Sequence, residues 1–283
     1  MSLPNVLRLS TVTTRLGAAL LQWMPERAAA LKAGQLPDAP RFVDKMLIAG
    51  LVHDHQRRGR LDELTALHDW FWSSSPAVPF HESAELRFEG WFYGHHIAIV
   101  AAIEAALAAD DFRYEAFCEI GTGCGRALDH MAQALPQIPR FISIDLSSAQ
   151  VALNRQRYAA RGTEFVAADG ADWIARHAEP RWVYLSYGGV FEYFSRDKVL
   201  ALYERLASRL APSLVVLVEP LSDTHDLERE PPSLVFGAEN TFSHNHAALL
   251  EAAGFRILSQ FEQQIDGQRW LLLVARSPDP PAS

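Results

Sequence analysis

The sequence predicts an α/β fold: a doubly wound, mostly parallel seven-stranded sheet closed by a terminal antiparallel hairpin, with an all-helical cap in front of it. Three observations carry this. From residue 116 onward, short apolar runs alternate with helical patterns, which calls for a parallel sheet covered on both faces. The first run, 117–120, ends in Gly121, Gly123 and Gly125, and a helical pattern opens at once through Ala127, Leu128 and Met131. That is the strand, turn and helix that begin an open sheet. The first eighty residues show helical periodicity and no strand pattern.

Taken in order, residues 5–33 read as one helix, with Leu9, Val12, Leu16, Leu20 and Trp23 at helical spacing and Gly34 and Pro37 behind it. Helices are expected over 41–58 and 61–72, then a Ser/Pro loop to Pro79. The aromatic stretch 88–96 leads into an alanine-rich helix ending near Ala109. It can pack the cap on the sheet through Trp91 and Phe92, or turn the polar tips of Tyr93, His95 or His96 towards a ligand. Strands follow at 117–120, 141–144, 164–167, 181–186 and 214–218. Helices are expected at 126–135, 148–161, 172–177 and 197–210, with Ser147 capping the second. Residues 221–243 read as a long polar loop, 244–253 as a helix, and 255–261 with 268–275 as a hairpin turning at Asp266-Gly267. The domain reading is 1–84 as helical cap or dimerisation region, 85–276 as the sheet domain, and 277–283 as a disordered Pro-rich tail.

Composition narrows the function. The 283 residues carry 26 basic against 34 acidic side chains, net −8, with no basic block. Phosphate backbones need basic surfaces, so nucleic acid is not expected and a small-molecule substrate is. No apolar run approaches the ~20 residues of a membrane span, so no membrane partner is expected. Cys118 and Cys124 match neither a redox nor a zinc spacing and read as small fillers in a reducing cytoplasm. The close histidine pairs, His53/His55 and His244/His246, match no zinc motif, and no metal is expected.

Glycines at alternate positions let the backbone turn tightly and let a ligand come close where a Cβ would clash. The third comes one residue early for a dinucleotide fingerprint, with Arg126 where that pattern wants glycine, and Glu119 stands two before the first. Glu119-Ile-Gly121-Thr-Gly123-Cys-Gly125 resembles the first motif of class I S-adenosylmethionine-dependent methyltransferases, whose Rossmann-like layout is similar to residues 85–276. The resemblance implies S-adenosylmethionine as cofactor. It implies that Asp145, ending the second strand, accepts from the ribose hydroxyls. Asp169, ending the third, would accept from the adenine amino group, with Leu146 and Trp173 about the ring and Asp172 as the next helix N-cap. Ser186-Tyr187-Gly188-Gly189 resembles the family's bend beneath the methionine end. The cofactor set is then Tyr93, Glu119, Gly121, Gly123, Gly125, Asp145, Leu146, Asp169, Gly170, Ser186 and Tyr187.

Many relatives carry Leu-Glu-His where this chain has Phe191-Glu192-Tyr193, so no base carries over from there. Candidate catalytic groups are Glu219 at the fifth strand end, His244 before the next helix, and His96, with His95 and His225 behind them. Ser243-His244-Asn245 is similar to a run in some small-molecule O-methyltransferases. The expected activity is methyl transfer to a small metabolite, at a hydroxyl, with a homodimer possible through the N-terminal helices. Two alternatives share the resemblance: aminobutyryl transfer, as in nicotianamine-synthase-like enzymes, and a non-catalytic cofactor-binding scaffold. A nicotinamide oxidoreductase fails on the glycine spacing.

Overall fold

The computed structural model describes residues 11–32, 41–73, 86, 88–237 and 240–279. Its cap contains α1 (Thr11–Trp23), α2 (Pro25–Lys32), α3 (Phe42–Arg57) and α4 (Leu61–Ser73). The helix expected over 5–33 is thus two helices in its described part, because Pro25 has no N–H to continue the first and opens the second as its first residue. Gly17 of α1 meets Gly50 of α3, and a Cβ on either would run into the backbone of the other helix. Arg27 donates to both oxygens of Asp44, at 2.5 and 2.9 Å, while that carboxylate accepts the Arg41 amide at the head of α3. The Ser/Pro loop from 74 on lies outside the described residues. The aromatic stretch is a π-helix, Glu89–His96, leading into α5 (Ala98–Ala109).

The sheet domain runs β1 (Ala116–Ile120), α6 (Arg126–Ala134), β2 (Phe141–Asp145), α7 (Ser148–Arg157), β3 (Glu164–Ala167), α8 (Gly170–His177), β4 (Trp182–Tyr187), α9 (Arg196–Arg209) and β5 (Ser213–Leu221). After it come β6 (Ser233–Phe236), β7 (Thr241–His244), α10 (His246–Ala252), β8 (Arg256–Ile265) and β9 (Gln268–Arg276). The main sheet has seven strands in the order β3-β2-β1-β4-β5-β9-β8. β1 through β5 pair in parallel, and β9 runs against both of its neighbours. The strand order reverses between β1 and β4, where open sheets bind ligands at their carboxyl ends.

Side chains alternate across the strands, so the sheet has a core on each face. Ala116, Cys118 and Ile120 join one core with Trp182 and Tyr184. Phe117, Val183 and Leu185 join the other with Ile99, Ile103 and Phe92. Burying a side chain such as Phe117 stabilises the fold by about 1.5–3 kcal/mol. The cap has its own core of Leu47, Ile48, Leu51, Leu64 and Phe71, and that core takes in Tyr193 and Phe242 from the sheet domain.

Phe242 explains a difference from the sequence reading. The polar loop expected over 221–243 contains the β6–β7 hairpin, and it folds because Phe242 and Val235 pack against the cap. The segment expected as a tail starts on an anchored residue. Ser277 is buried, its amide donates to Ser213 O at 2.9 Å, and its hydroxyl accepts the Ser213 amide at 2.8 Å. Residues 280–283 lie outside the described residues. No single described helix is long and apolar enough to cross a membrane.

Candidate functional site

At the carboxyl ends of β1, β2, β3 and β4 lies a cavity of about 630 Å³. Its floor is the glycine turn 121–123, Asp145-Leu146, Ala168-Asp169-Gly170 and the segment 187–194. Its roof comes from three places: Asp69 and Trp72 of α4, Phe236 and Thr241 of the small hairpin, and the β8–β9 turn with Asp266, Gln268 and Trp270. The cap and the two hairpins thus close over the strand ends.

The glycine turn depends on its glycines for backbone conformation and for packing. Gly121, Gly123 and Gly125 all have positive φ, at 70°, 49° and 78°, a region open to glycine and costly for other residues. A Cβ on Gly121 would sit 2.6 Å from both Val190 methyls. Gly125 does not line the cavity; it precedes α6 as N-cap, and a Cβ there would meet Tyr158 at 2.7 Å. The turn is fixed from behind: the Asn154 side chain donates to Gly123 O at 2.7 Å and the Tyr158 hydroxyl to Cys124 O at 3.1 Å.

Asp145 accepts the Gly123 amide on one oxygen and the Ser147 amide on the other, both at 2.9 Å. It is thereby held at the cavity floor. Glu119 lines the cavity, is 1 % exposed, and accepts the Thr122 hydroxyl. Burial pushes its carboxyl up to about 8, against the pull of that hydroxyl. Asp169, and not Asp172, caps α8: its Oδ1 accepts the Asp172 amide at 2.9 Å. The cap falls one turn earlier than expected because α8 begins at Gly170. Trp173 does not line the cavity; it stacks on His177 and packs against the sheet core. Leu146 and Gly170 do line it.

The remaining candidates separate. Tyr93 is about half exposed and bonds His130 at 3.1 Å, away from the cavity wall. Ser186 is also off the wall; its hydroxyl donates to Glu219. Glu219 is fully buried, accepts the Val190 amide at 3.2 Å and is drawn on by the Phe191 and Glu192 amides as well. It organises the bend after β4, where Gly188 and Gly189 have φ of 86° and 88°. Burial pushes its carboxyl up to about 7. His244 is buried in β7, with Ser233 Oγ at 2.6 Å from Nδ1 and the Phe191 and Phe194 carbonyls at 3.1 Å from Nε2. Both ring nitrogens are engaged in tying β6 and the post-β4 turn together. His225 is similarly committed, to Ser243 and Pro231.

His96 is different. It is buried behind the wall residues Tyr187 and Trp270, with its ring 5.6 and 5.2 Å from theirs. Its Nδ1 shares a hydrogen bond of 3.1 Å with the Tyr187 hydroxyl, and its Nε2 has no partner among the described residues. Burial pushes its pKa down to about 4, which keeps the imidazole neutral at pH 7.

Six carboxylates line the cavity (Asp69, Glu119, Asp145, Asp169, Glu192 and Asp266), and no lysine, arginine or histidine among the described residues does. Lys198, behind the wall, pairs with Asp69 and Asp169, and the remaining acids still favour a cationic ligand. The sequence reading missed the roof residues Asp69, Trp72 and Trp270. They lie far from the strand ends in sequence, and only the packing of the cap and hairpin brings them over. No group of three or more His, Cys, Asp or Glu among the described residues is placed to hold a metal ion.

Residues 117–213 match the family model described as a methyltransferase domain. No curated protein matches the chain by sequence. Among solved structures, the chain is similar to magnesium protoporphyrin IX methyltransferase from Synechocystis PCC 6803, at 18 % identity over 65 % of this chain and 80 % of that one, TM-score 0.45. It is similar to the 1,6-didemethyltoxoflavin-N1-methyltransferase of Burkholderia thailandensis, at 22 % identity over 71 % and 91 %, TM-score 0.47. A third is the N-methyltransferase NodS of Bradyrhizobium japonicum WM9, at 16 % identity over 65 % and 87 %, TM-score 0.48. At this level of likeness their names carry nothing about the acceptor here. The matched residues include the glycine turn, Asp145 and Asp169, and the glycine-turn motif implies S-adenosylmethionine as the cofactor. The acid-lined cavity over the glycine turn fits that sulfonium compound.

Proposed function

We propose that the protein transfers the methyl group of S-adenosylmethionine to a hydroxyl of a small metabolite held under the cap. The observation that carries this reading is the roofed cavity at the strand ends, floored by the glycine turn and by Asp145. The cofactor, when bound, supplies a methyl group already activated by its sulfonium. Asp145 would hold the ribose and Asp169 and Leu146 the adenine end, and Glu119, protonated at pH 7 before binding, would add negative charge on releasing its proton as the cationic ligand binds. The roof excludes water and aligns the acceptor, which is most of what an in-line displacement asks of a protein.

A hydroxyl acceptor must also lose a proton. Of the three catalytic candidates from the sequence, His96 alone bonds directly to a cavity-wall residue that can relay that proton. In this reading the acceptor proton passes to the Tyr187 oxygen while the Tyr187 proton passes to His96 Nδ1. His96 would receive it at Nδ1, against the burial that disfavours the imidazolium. Glu219, whose Oε1 takes the Ser186 hydroxyl and the Val190 amide, and His244, bonded at both ring nitrogens, serve as supports. The exposed Leu16, Trp23 and Phe42 on the N-terminal helices support a homodimer through the cap, which sedimentation equilibrium tests.

Product analysis tests the reaction. Incubation with S-adenosylmethionine and a panel of small hydroxylated metabolites, followed by mass spectrometry, is expected to give S-adenosylhomocysteine and a product 14 mass units heavier than its acceptor, about one CH₂. Methylthioadenosine as the sole cofactor product would overturn the reading in favour of aminobutyryl transfer.

A further inference from the structure

We propose that Lys198 is a positioning residue that clamps the roof of the cavity to its adenine side, an inference that rests on the cofactor reading above. Lys198 lies in the first turn of α9, its amide directed to the Ser195 hydroxyl at 3.4 Å. Its side chain runs over the Phe194 ring, Nζ 4.2 Å from the centroid. The ammonium then donates to two carboxylates from different layers: Asp169 Oδ2 of the floor at 2.9 Å and Asp69 Oδ2 of the roof helix α4 at 3.2 Å. Asp69, Asp169 and Phe194 all line the cavity.

The arrangement fixes Asp169 at both oxygens, since Oδ1 already accepts the Asp172 amide. A carboxylate held in this way presents a set geometry to a ligand's amino group. The same ammonium screens two acids that lie within about 6 Å of one another, where like charges repel. Without it, Asp69 and α4 would be pushed from the floor, opposed by the edge-on packing of Tyr193 on His68 and Trp72. The two acids are not equivalent. Burial raises the Asp69 carboxyl, with Lys198 only partly offsetting it. Burial would raise Asp169 too, but the Asp172 amide and Lys198 together hold it low. The roof contact is the longer arm of the clamp, at 3.2 Å, and the floor contact the shorter, at 2.9 Å.

Two variants separate the arms. Lys198→Met keeps the length and removes the charge; it is expected to weaken S-adenosylhomocysteine binding by about fivefold or more in calorimetry and to speed hydrogen–deuterium exchange over 61–73. Asp69→Asn leaves the Lys198–Asp169 arm in place; it is expected to speed exchange over 61–73 while weakening affinity clearly less than Lys198→Met does. Lys198→Arg, which can still bridge both acids, is expected to restore both readouts towards wild type. A merely structural Lys198 would slow or speed exchange without this split in affinity. Wild-type affinity in a folded Lys198→Met protein, or unchanged exchange over 61–73 in Asp69→Asn, overturns the proposal. If Lys198→Met fails to fold, Asp69→Asn still decides. If wild-type protein binds no S-adenosylhomocysteine, the cofactor reading has failed, and the exchange arm still tests the roof contact by itself.

Discussion

Glu119 gives the sharpest test of how the site is built, because one substitution should move stability and binding in opposite directions. Its carboxyl titrates at about 8 in the fold, pushed up from 4.5 chiefly by burial. The group therefore holds a proton in the folded protein, between pH 4.5 and 8, that it has lost in the unfolded chain. Its contribution to stability is fully present below the unfolded value and is lost as pH rises through the folded one. Each pH unit in that window is worth about 1.4 kcal/mol, so by pH 7 the fold has given up about 3 kcal/mol at this site. Glu119→Gln keeps the shape and an acceptor for the Thr122 hydroxyl and has no charge to bury. Relative to wild type it should be no more stable near pH 4.5, more stable by up to about 3 kcal/mol at pH 7, and no further ahead above pH 8. Urea unfolding across that range reads the difference directly. Binding should go the other way. Loss of a charged hydrogen-bond partner costs about 1.5–3 kcal/mol, so S-adenosylhomocysteine should bind the variant roughly 10- to 100-fold more weakly. In wild-type protein, affinity should rise by up to about tenfold per pH unit towards pH 8, as the carboxylate no longer has to release a proton. A variant that tracks wild-type stability at every pH and keeps its affinity would refute both halves of the reasoning.

Three further outcomes follow from the geometry. Gly121→Ala places a Cβ 2.6 Å from both Val190 methyls at a φ of 70°, and should abolish measurable S-adenosylhomocysteine binding and lower the thermal midpoint. Gly50→Ala drives a methyl into the α1 backbone and should cost about 1–3 kcal/mol, read as faster exchange in 42–57 with β1–β5 unchanged. Tyr187→Phe breaks the bond to His96; it should leave S-adenosylhomocysteine affinity within about twofold and slow methylation of a hydroxyl acceptor by roughly 10²-fold or more. Unchanged turnover would point to an acceptor that needs no base.

The sheet was legible because its signals are local. Alternating apolar runs, the three glycines and the acids at successive strand ends lie within the stretch 117–169, and Glu119, Gly121, Gly123, Asp145 and Asp169 all meet at one cavity. What the sequence hid depends on distance along the chain. Residues 233–236 and 241–244 are too short and too mixed to read as strands, and they fold against a cap some 170 residues earlier. Asp169 and Asp172 stand one helical turn apart, so either could have capped α8; the start of the helix at Gly170 decides it. His244 sits in a run that looks functional, yet its two nitrogens are occupied by Ser233 and two carbonyls. The Tyr187 partner is His96, 91 residues upstream, and the Lys198 partners are 29 and 129 residues away. No local pattern marks either arrangement.

On the function proposed, the acid-lined cavity over the glycine turn is the S-adenosylmethionine site. Titration calorimetry of S-adenosylhomocysteine against wild-type protein and Asp145→Asn tests it most directly. One site per chain is expected in wild-type protein, with an affinity at least about tenfold weaker in the variant for the loss of one charged hydrogen-bond partner. Absence of binding to wild-type protein, or equal binding to both, would contradict it.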